Sequence, residues 1–250
     1  MQPKIVGHRG AARLAPENTL RAFRAGVDAG ADLLECDVHL SADGQLVIMH
    51  DTTIDRTAAE DSPLRSGPLA ELTRAELDTV LLPDGERVPS LEAVLDIAQG
   101  AGVPIYVEVK AVAAAEQTAQ LLVDRDLDQS IDGVAPAWII SFKPEALRAA
   151  RAVAPQIPLS AVTHVADEDF WALAAELRTE AVSLQMSKLP DADVARAHEA
   201  GHLVNAWTIN DEEPLHRAVE LGVDTVTSDD PAWARRALAD RGGVGARWPV

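Results

Sequence analysis

Apolar runs of strand length recur along the chain, and between them apolar residues recur at helical spacing. The strand candidates are Lys4 to Gly7, Leu33 to Leu40, Pro104 to Lys110, Ala137 to Ser141, Ile157 to Val162, Ala181 to Gln185, Leu203 to Thr208 and Val223 to Ser228. Helical patterns follow Leu20, Phe23 and Val27 up to Gly30, and run from Leu91 to Gln99, Pro144 to Val153, Asp167 to Arg178, Asp191 to Ala200, Glu212 to Leu221 and Pro231 to Asp240. Glycine punctuates the alternation at Gly30, Gly102, Gly201 and Gly222, each closing a helix ahead of a buried strand. Strand and helix alternation implies a parallel sheet covered by helices, and eight strands is the number that closes a (β/α)8 TIM barrel. A doubly wound open sheet is the alternative.

One strand carries charge where its neighbours carry apolar residues. In Leu33 to Leu40, Glu35 and Asp37 share a face and Cys36 and Val38 take the other. Two carboxylates about 5 Å apart at an effective dielectric near 20 repel by on the order of 3 kcal/mol, so something must offset them. The Asp43-Gly44 turn signal and the run Gln45 to Asp51 make this strand the first arm of a hairpin. Folding back about the turn sets His50 opposite Glu35 or Asp37, according to the register. Residues 52 to 89 then break the alternation with Pro63, Gly67-Pro68, Pro83 and Asp84-Gly85 and one short helical pattern, Thr73 to Val80. They read as a small insertion over the barrel mouth within a single domain of residues 1 to 250.

Barrels of this kind work at the carboxyl ends of their strands. There the chain places His8 and Arg9 on the first strand, Glu35 and Asp37 on the second, Glu108 and Lys110 on the third, Gln185 on the sixth and Trp207 on the seventh. Three converging carboxylates suit one hard divalent cation, Mg²⁺ or Ca²⁺. Ion pairing to Arg9 and Lys110 is the alternative use of the same acids. A cation would explain how an acidic protein holds a phosphate, with Arg9 and Lys110 adding charge-assisted hydrogen bonds, and His8 and His50 suit acid and base catalysis near neutral pH.

Composition narrows the partners. A net charge of -18 over 250 residues argues against broad binding to nucleic acid or anionic membrane, and no apolar run is long enough to span a bilayer. A soluble cytoplasmic protein without stable membrane association is expected. The single cysteine, Cys36, excludes an internal disulfide, fits a reducing compartment and reads as packing. Trp233 and Trp248 are candidates to cover the barrel floor or a partner.

Taken together, His8-Arg9-Gly10, Pro16-Glu17-Asn18-Thr19, Glu35-Cys36-Asp37-Val38, Asp43-Gly44 with His50-Asp51, Asp55-Arg56-Thr57, Pro89-Ser90-Leu91, Glu108-Val109-Lys110, Ser141-Phe142 and Trp207-Thr208-Ile209-Asn210 give the chain its family resemblance. It resembles the glycerophosphodiester phosphodiesterases along nearly its whole length. The resemblance implies a (β/α)8 barrel with an insertion after His50 and hydrolysis of small glycerophosphodiesters to sn-glycerol 3-phosphate and an alcohol. It implies metal ligation by Glu35, Asp37 and Glu108, catalysis by His8 and His50, and phosphate contacts from Arg9 and Lys110. It further implies a polar site position at Glu17 and an aromatic wall at Trp207. Ala58-Ala59-Glu60-Asp61 departs from the glycine-rich segment the family often carries there, which bears on substrate preference. Two rival readings stay open: an amidohydrolase-like barrel, whose first strand usually carries His-x-His where this chain has His8-Arg9-Gly10, and a barrel that binds a sugar phosphate without turning it over.

Overall fold

The computed structural model describes residues 2–129 and 135–239. Its strands are β1 (Lys4–Gly7), β2 (Leu33–Leu40), β3 (Leu46–Ile48), β4 (Ile105–Val109), β5 (Ala137–Ser141), β6 (Leu159–Thr163), β7 (Ala181–Gln185), β8 (Leu203–Trp207) and β9 (Thr225–Ser228). The α-helices are α1 (Leu20–Asp28), α2 (Arg74–Leu77), α3 (Leu91–Ala101), α4 (Ala115–Asp124), α5 (Pro144–Val153), α6 (Glu168–Leu177), α7 (Asp191–Glu199), α8 (Glu212–Leu221) and α9 (Pro231–Ala239). Neighbouring strands pair in parallel from β2 through β4 to β9, and β1 pairs with both β9 and β2. That double pairing closes a barrel and rules out the open sheet.

Strand alternation sorts side chains into two layers. Val6, Leu33, Tyr106, Trp138, Ile140, Val162 and Ala181 form one buried cluster inside the barrel, with Tyr106 edge-on to Trp138 at 5.7 Å. Leu34, Cys36, Val38, Val107, Val109 and Ile139 join the larger layer between strands and helices. Cys36 is a buried free thiol in that outer layer. Trp233 on α9 packs there too, against the helix layer rather than the barrel floor; Trp248 and Asp240 lie outside the described residues.

Local chemistry sets the helix ends. Thr19, Ser90 and Asp167 accept backbone N–H bonds at the starts of α1, α3 and α6, while Gly102 and Gly222 close α3 and α8 in the left-handed conformation. Helix α4 has no place among the periodic patterns of the sequence. It starts at Ala114 without a side-chain cap and ends at Arg125 without glycine, so neither boundary carries a signal.

The hairpin register corrects one expectation. Val38 lies opposite Ile48, His39 opposite Val47 and Leu40 opposite Leu46, and Met49 N–H donates to the Asp37 carbonyl. Met49 therefore lies alongside Asp37, and the ladder ends before His50, which faces neither carboxylate as a cross-strand partner. Residues 52 to 89 carry a small core of their own: Ile54, Leu69, Leu77, Val80, Leu82 and Val88 pack with Val47 and Met49. Within it only α2 is α-helical, with a Thr73/Glu76 capping box, so the pattern from Thr73 to Val80 yields a single turn.

Candidate active site

At the carboxyl ends of the strands lies a cavity of about 380 Å³ lined by His8, Arg9, Glu35, His50, Glu108, Lys110 and Trp207 among others. Glu35 lines it from β2 and Glu108 from β4, and Asp37, the register partner of Glu108, lies buried behind them. The three carboxylates each offer an oxygen within 4.8 Å of the others. Glu35 and Asp37 are buried and Glu108 is nearly so.

The electrostatics are unbalanced in a telling way. Burial, with repulsion from Asp37 next, pushes the Glu35 carboxyl well above its ordinary range against the pull of His8. Glu108 is raised by burial and then Asp37, in spite of Lys110. Asp37 goes the other way: burial would raise it, but Lys110, Arg9, His50 and the Asn18 amide together hold it down. Lys110 Nζ lies 2.8 Å from Glu108 and 3.3 Å from Asp37. One ammonium is shared by two acids, and among the described residues no Lys or Arg side chain is in ion-pair contact with Glu35. A hard divalent ion fits this donor set, since its oxygens converge and their charge is under-compensated.

The loop after β1 is shaped to serve this centre. Arg9 sits in the left-handed region at φ 50, turning its backbone N–H to Glu35 Oε2 at 2.8 Å. Gly10 follows at φ 85, and a Cβ there would stand 2.5 Å from the Ala22 carbonyl carbon, so no other residue fits. The Arg9 guanidinium donates to Glu17 at 2.8 Å, while its buried Nε has no hydrogen-bond partner and meets Asp37 only as a 3.4 Å ion pair. The guanidinium as a whole lines the cavity, where its charge suits an anion.

Each cavity imidazole leans on a carboxylate. His8 Nδ1 is 2.6 Å from Asp229, and His50 Nδ1 is 2.7 Å from Asp51. Burial would lower His8, but the Asp229 hydrogen bond and the Glu35 charge outweigh it and leave its pKa raised. In His50 burial prevails, reinforced by Arg9 and Lys110, and the pKa is lowered despite Asp37 and Asp51.

Besides Asp37, two of the expected site residues stand back from the cavity. Glu17 is engaged by Arg9 and by Arg56 of the 52 to 89 segment, and Gln185 is bonded to His164 at 3.0 Å. Trp207 lines the cavity, edge-on to Phe142 and His164 at 5.5 and 5.3 Å. Asn18, Asp229, Arg56, Phe142 and His164 were not among the candidates. Asn18, Arg56 and Phe142 stand within the motifs that carry the resemblance, and Asp229 follows Ser228 at the carboxyl end of the last strand, but its pairing with His8 spans 221 positions.

The sequence profile of the Glycerophosphoryl diester phosphodiesterase family matches residues 8–233. The chain belongs to that family. This phosphodiesterase is 27% identical to a glycerophosphodiester phosphodiesterase of Caldanaerobacter subterraneus, over 92% of this chain and 96% of that one. Among solved structures it resembles an Oleispira antarctica phosphodiesterase held in complex with the product sn-glycerol-3-phosphate, with a TM-score of 0.84, 27% identity and coverage of 95% and 97%. The glycerophosphodiester phosphodiesterase of Agrobacterium tumefaciens gives 0.77 at 27% identity, covering 94% and 100%. Among the described residues of this phosphodiesterase no helix is long and apolar enough to cross a membrane.

Proposed function

We propose that this phosphodiesterase converts glycerophosphodiesters to sn-glycerol 3-phosphate and an alcohol, using one divalent cation, Mg²⁺ or Ca²⁺, at Glu35, Asp37 and Glu108 and the imidazoles of His8 and His50 as its acid and base. The observation that carries the reading is the cluster of three carboxylates at a cavity that two of them share with two imidazoles and two cationic side chains. When bound, the cation would polarise a phosphoryl oxygen and neutralise developing charge. Arg9 and Lys110 hold the phosphate from the side. One imidazole accepts a proton from the attacking hydroxyl and the other donates one to the departing alcohol. Trp207, with Phe142 beside it, supplies an apolar wall for the carbon skeleton. Glu17 acts through Arg9, and Gln185 through His164.

Residues 1 to 250 act in this reading as one catalytic domain, with 52 to 89 bordering the mouth, where Arg56 ties them to Glu17 and Asp51. The excess of negative charge leaves small diesters rather than nucleic acid or anionic membrane as partners, and one buried thiol suits a cytoplasmic, reducing setting. The decisive assay is glycerophosphocholine hydrolysis with and without EDTA, followed by Mg²⁺ or Ca²⁺ readdition. Loss in the chelator and recovery on readdition are expected; undiminished turnover in a verified metal-free sample removes the cation, and no turnover under any metal removes the substrate class.

A further inference from the structure

The two imidazoles of the cavity are supported by carboxylates in unlike surroundings. Asp51, behind His50, spends its second oxygen on a cation: Arg56 Nε donates to Oδ2 at 2.5 Å, and the same guanidinium reaches Glu17. Asp229, behind His8, spends its second oxygen on a neutral amide, Asn210 Nδ2 at 2.6 Å. That amide is itself fixed, since Asn210 Oδ1 accepts from the Asp229 backbone N–H at 2.9 Å and from Ser228 Oγ at 3.2 Å. The His8 backbone N–H donates to the Ser228 carbonyl at 2.9 Å, so the ends of β1 and β9 are clamped together around the pair.

Resting on the function proposed above, we infer that Asp229, locked by Asn210, is the positioning residue for His8 and makes it the proton donor to the departing alcohol. Asp229 accepts from Nδ1–H, which leaves Nε2 as the nitrogen for the cavity. Among the described residues no Lys or Arg side chain is in direct contact with its carboxylate, so its charge favours the imidazolium. His8 also senses Glu35 and Glu108, which favour its charged form, and Arg9, which opposes it. His50 is disfavoured as a cation first by burial and then by Arg9 and Lys110, against Asp37 and an Asp51 whose second oxygen is held by Arg56, and is left as the neutral proton acceptor. In the reaction the attacking oxygen bonds to phosphorus and gives its proton to His50. The phosphorus–oxygen bond to the alcohol breaks, and that oxygen takes the proton from His8 Nε2. Exchange with solvent restores both rings, so the net change is addition of one water whether water attacks at once or after the glycerol 2-hydroxyl.

A proton donor matters for a poor leaving group and little for a good one. Glycerophosphocholine and glycerophospho-p-nitrophenol therefore separate this role from a merely structural one. Asp229→Asn is expected to lower kcat on the choline diester about 10²-fold with KM unchanged, and to cost far less on the nitrophenyl diester. Asn210→Ala, read alongside and relied on if Asp229→Asn fails to fold by circular dichroism, should show the same selectivity at smaller size. Equal losses on both substrates, or full activity on the choline diester, overturn the inference. His8→Ala distinguishes the levels. If it is selectively impaired on the choline diester while the Asp229 and Asn210 variants are not, only the inference falls; if it keeps full activity, the function assigned to His8 falls with it.

Discussion

The floor and the mouth of the barrel are built by the same strands two residues apart, yet they obey opposite rules. On β2, inward Leu33 is buried among Val6, Tyr106 and Trp138, while the next inward positions are Glu35 and Asp37. On β4, Tyr106 is followed inward by Glu108. The floor lowers its energy by removing apolar surface from water, roughly 1.5–3 kcal/mol for each large side chain. Like charges held at the mouth raise its energy, and the floor below keeps them there.

Removing one mouth carboxylate tests that contrast most severely. Glu35→Gln keeps the shape and the acceptor for Arg9 N–H but removes a charge. Activity should fall by on the order of 10³-fold, the worth of several kcal/mol of lost charge stabilisation. Without added metal, the variant should be more stable than the parent in urea unfolding at neutral pH. The sign follows from the raised Glu35 pKa: the folded state takes up a proton more readily than the unfolded one, so stability is lost as pH climbs above 4.5 toward the folded value. A metal-free variant less stable than the parent would mean that the mouth is not strained.

The converse change lies at the floor. Leu33→Ala should cost roughly 2–5 kcal/mol of unfolding free energy by leaving a cavity, with kcat largely preserved at a temperature where the protein stays folded. A kcat loss as large as that of Glu35→Gln would erase the distinction between the two levels.

The difference also governs what could be read from the sequence. The floor and the layer outside it write themselves as apolar runs, so β1, β2, β5 and β7 fall on their predicted bounds. The mouth announces itself only where charge interrupts such a run, as at Glu35, Asp37 and Glu108. Groups that reach it from loops lie off any periodic pattern: Asp229 completes His8 from the far end of the chain. Neither the hairpin register nor α4 had a local determinant strong enough to fix it. A one-residue slip moved His50 off both acids, and α4 lacks a polar cap and a closing glycine.

Acidity offers a subtler probe of the mouth. With His8 raised above its ordinary 6.5 and His50 lowered below it, kcat/KM should be bell-shaped, rising below 6.5 as His50 deprotonates and falling above 6.5 as His8 does. In stability, the His8 contribution is fully present below 6.5 and lost as pH rises through its folded pKa. The His50 contribution is present above 6.5 and lost as pH falls through its folded pKa. Asp229→Asn should move the alkaline limb of the rate profile downward while the acid limb stays. Movement of the acid limb instead would exchange the roles of the two rings.

The smallest effect should come from the outer edge of the mouth, where Arg56 joins Asp51 to Glu17 from a half-exposed position. Exposed ion pairs contribute about 0.2–1 kcal/mol, so Arg56→Gln should barely move the unfolding midpoint. Its consequence for rate should be larger than its consequence for stability. The Asp51 carboxyl, held down at about 2 chiefly by its hydrogen bond to Arg56, would then present its full charge to His50. That charge favours the imidazolium, so the acid limb of the profile should shift upward, and kcat at pH 6 should fall by several-fold, within about tenfold. A stability loss with an unmoved acid limb would make Arg56 a fastener of the 52 to 89 segment, and the border of the mouth would then belong with the floor.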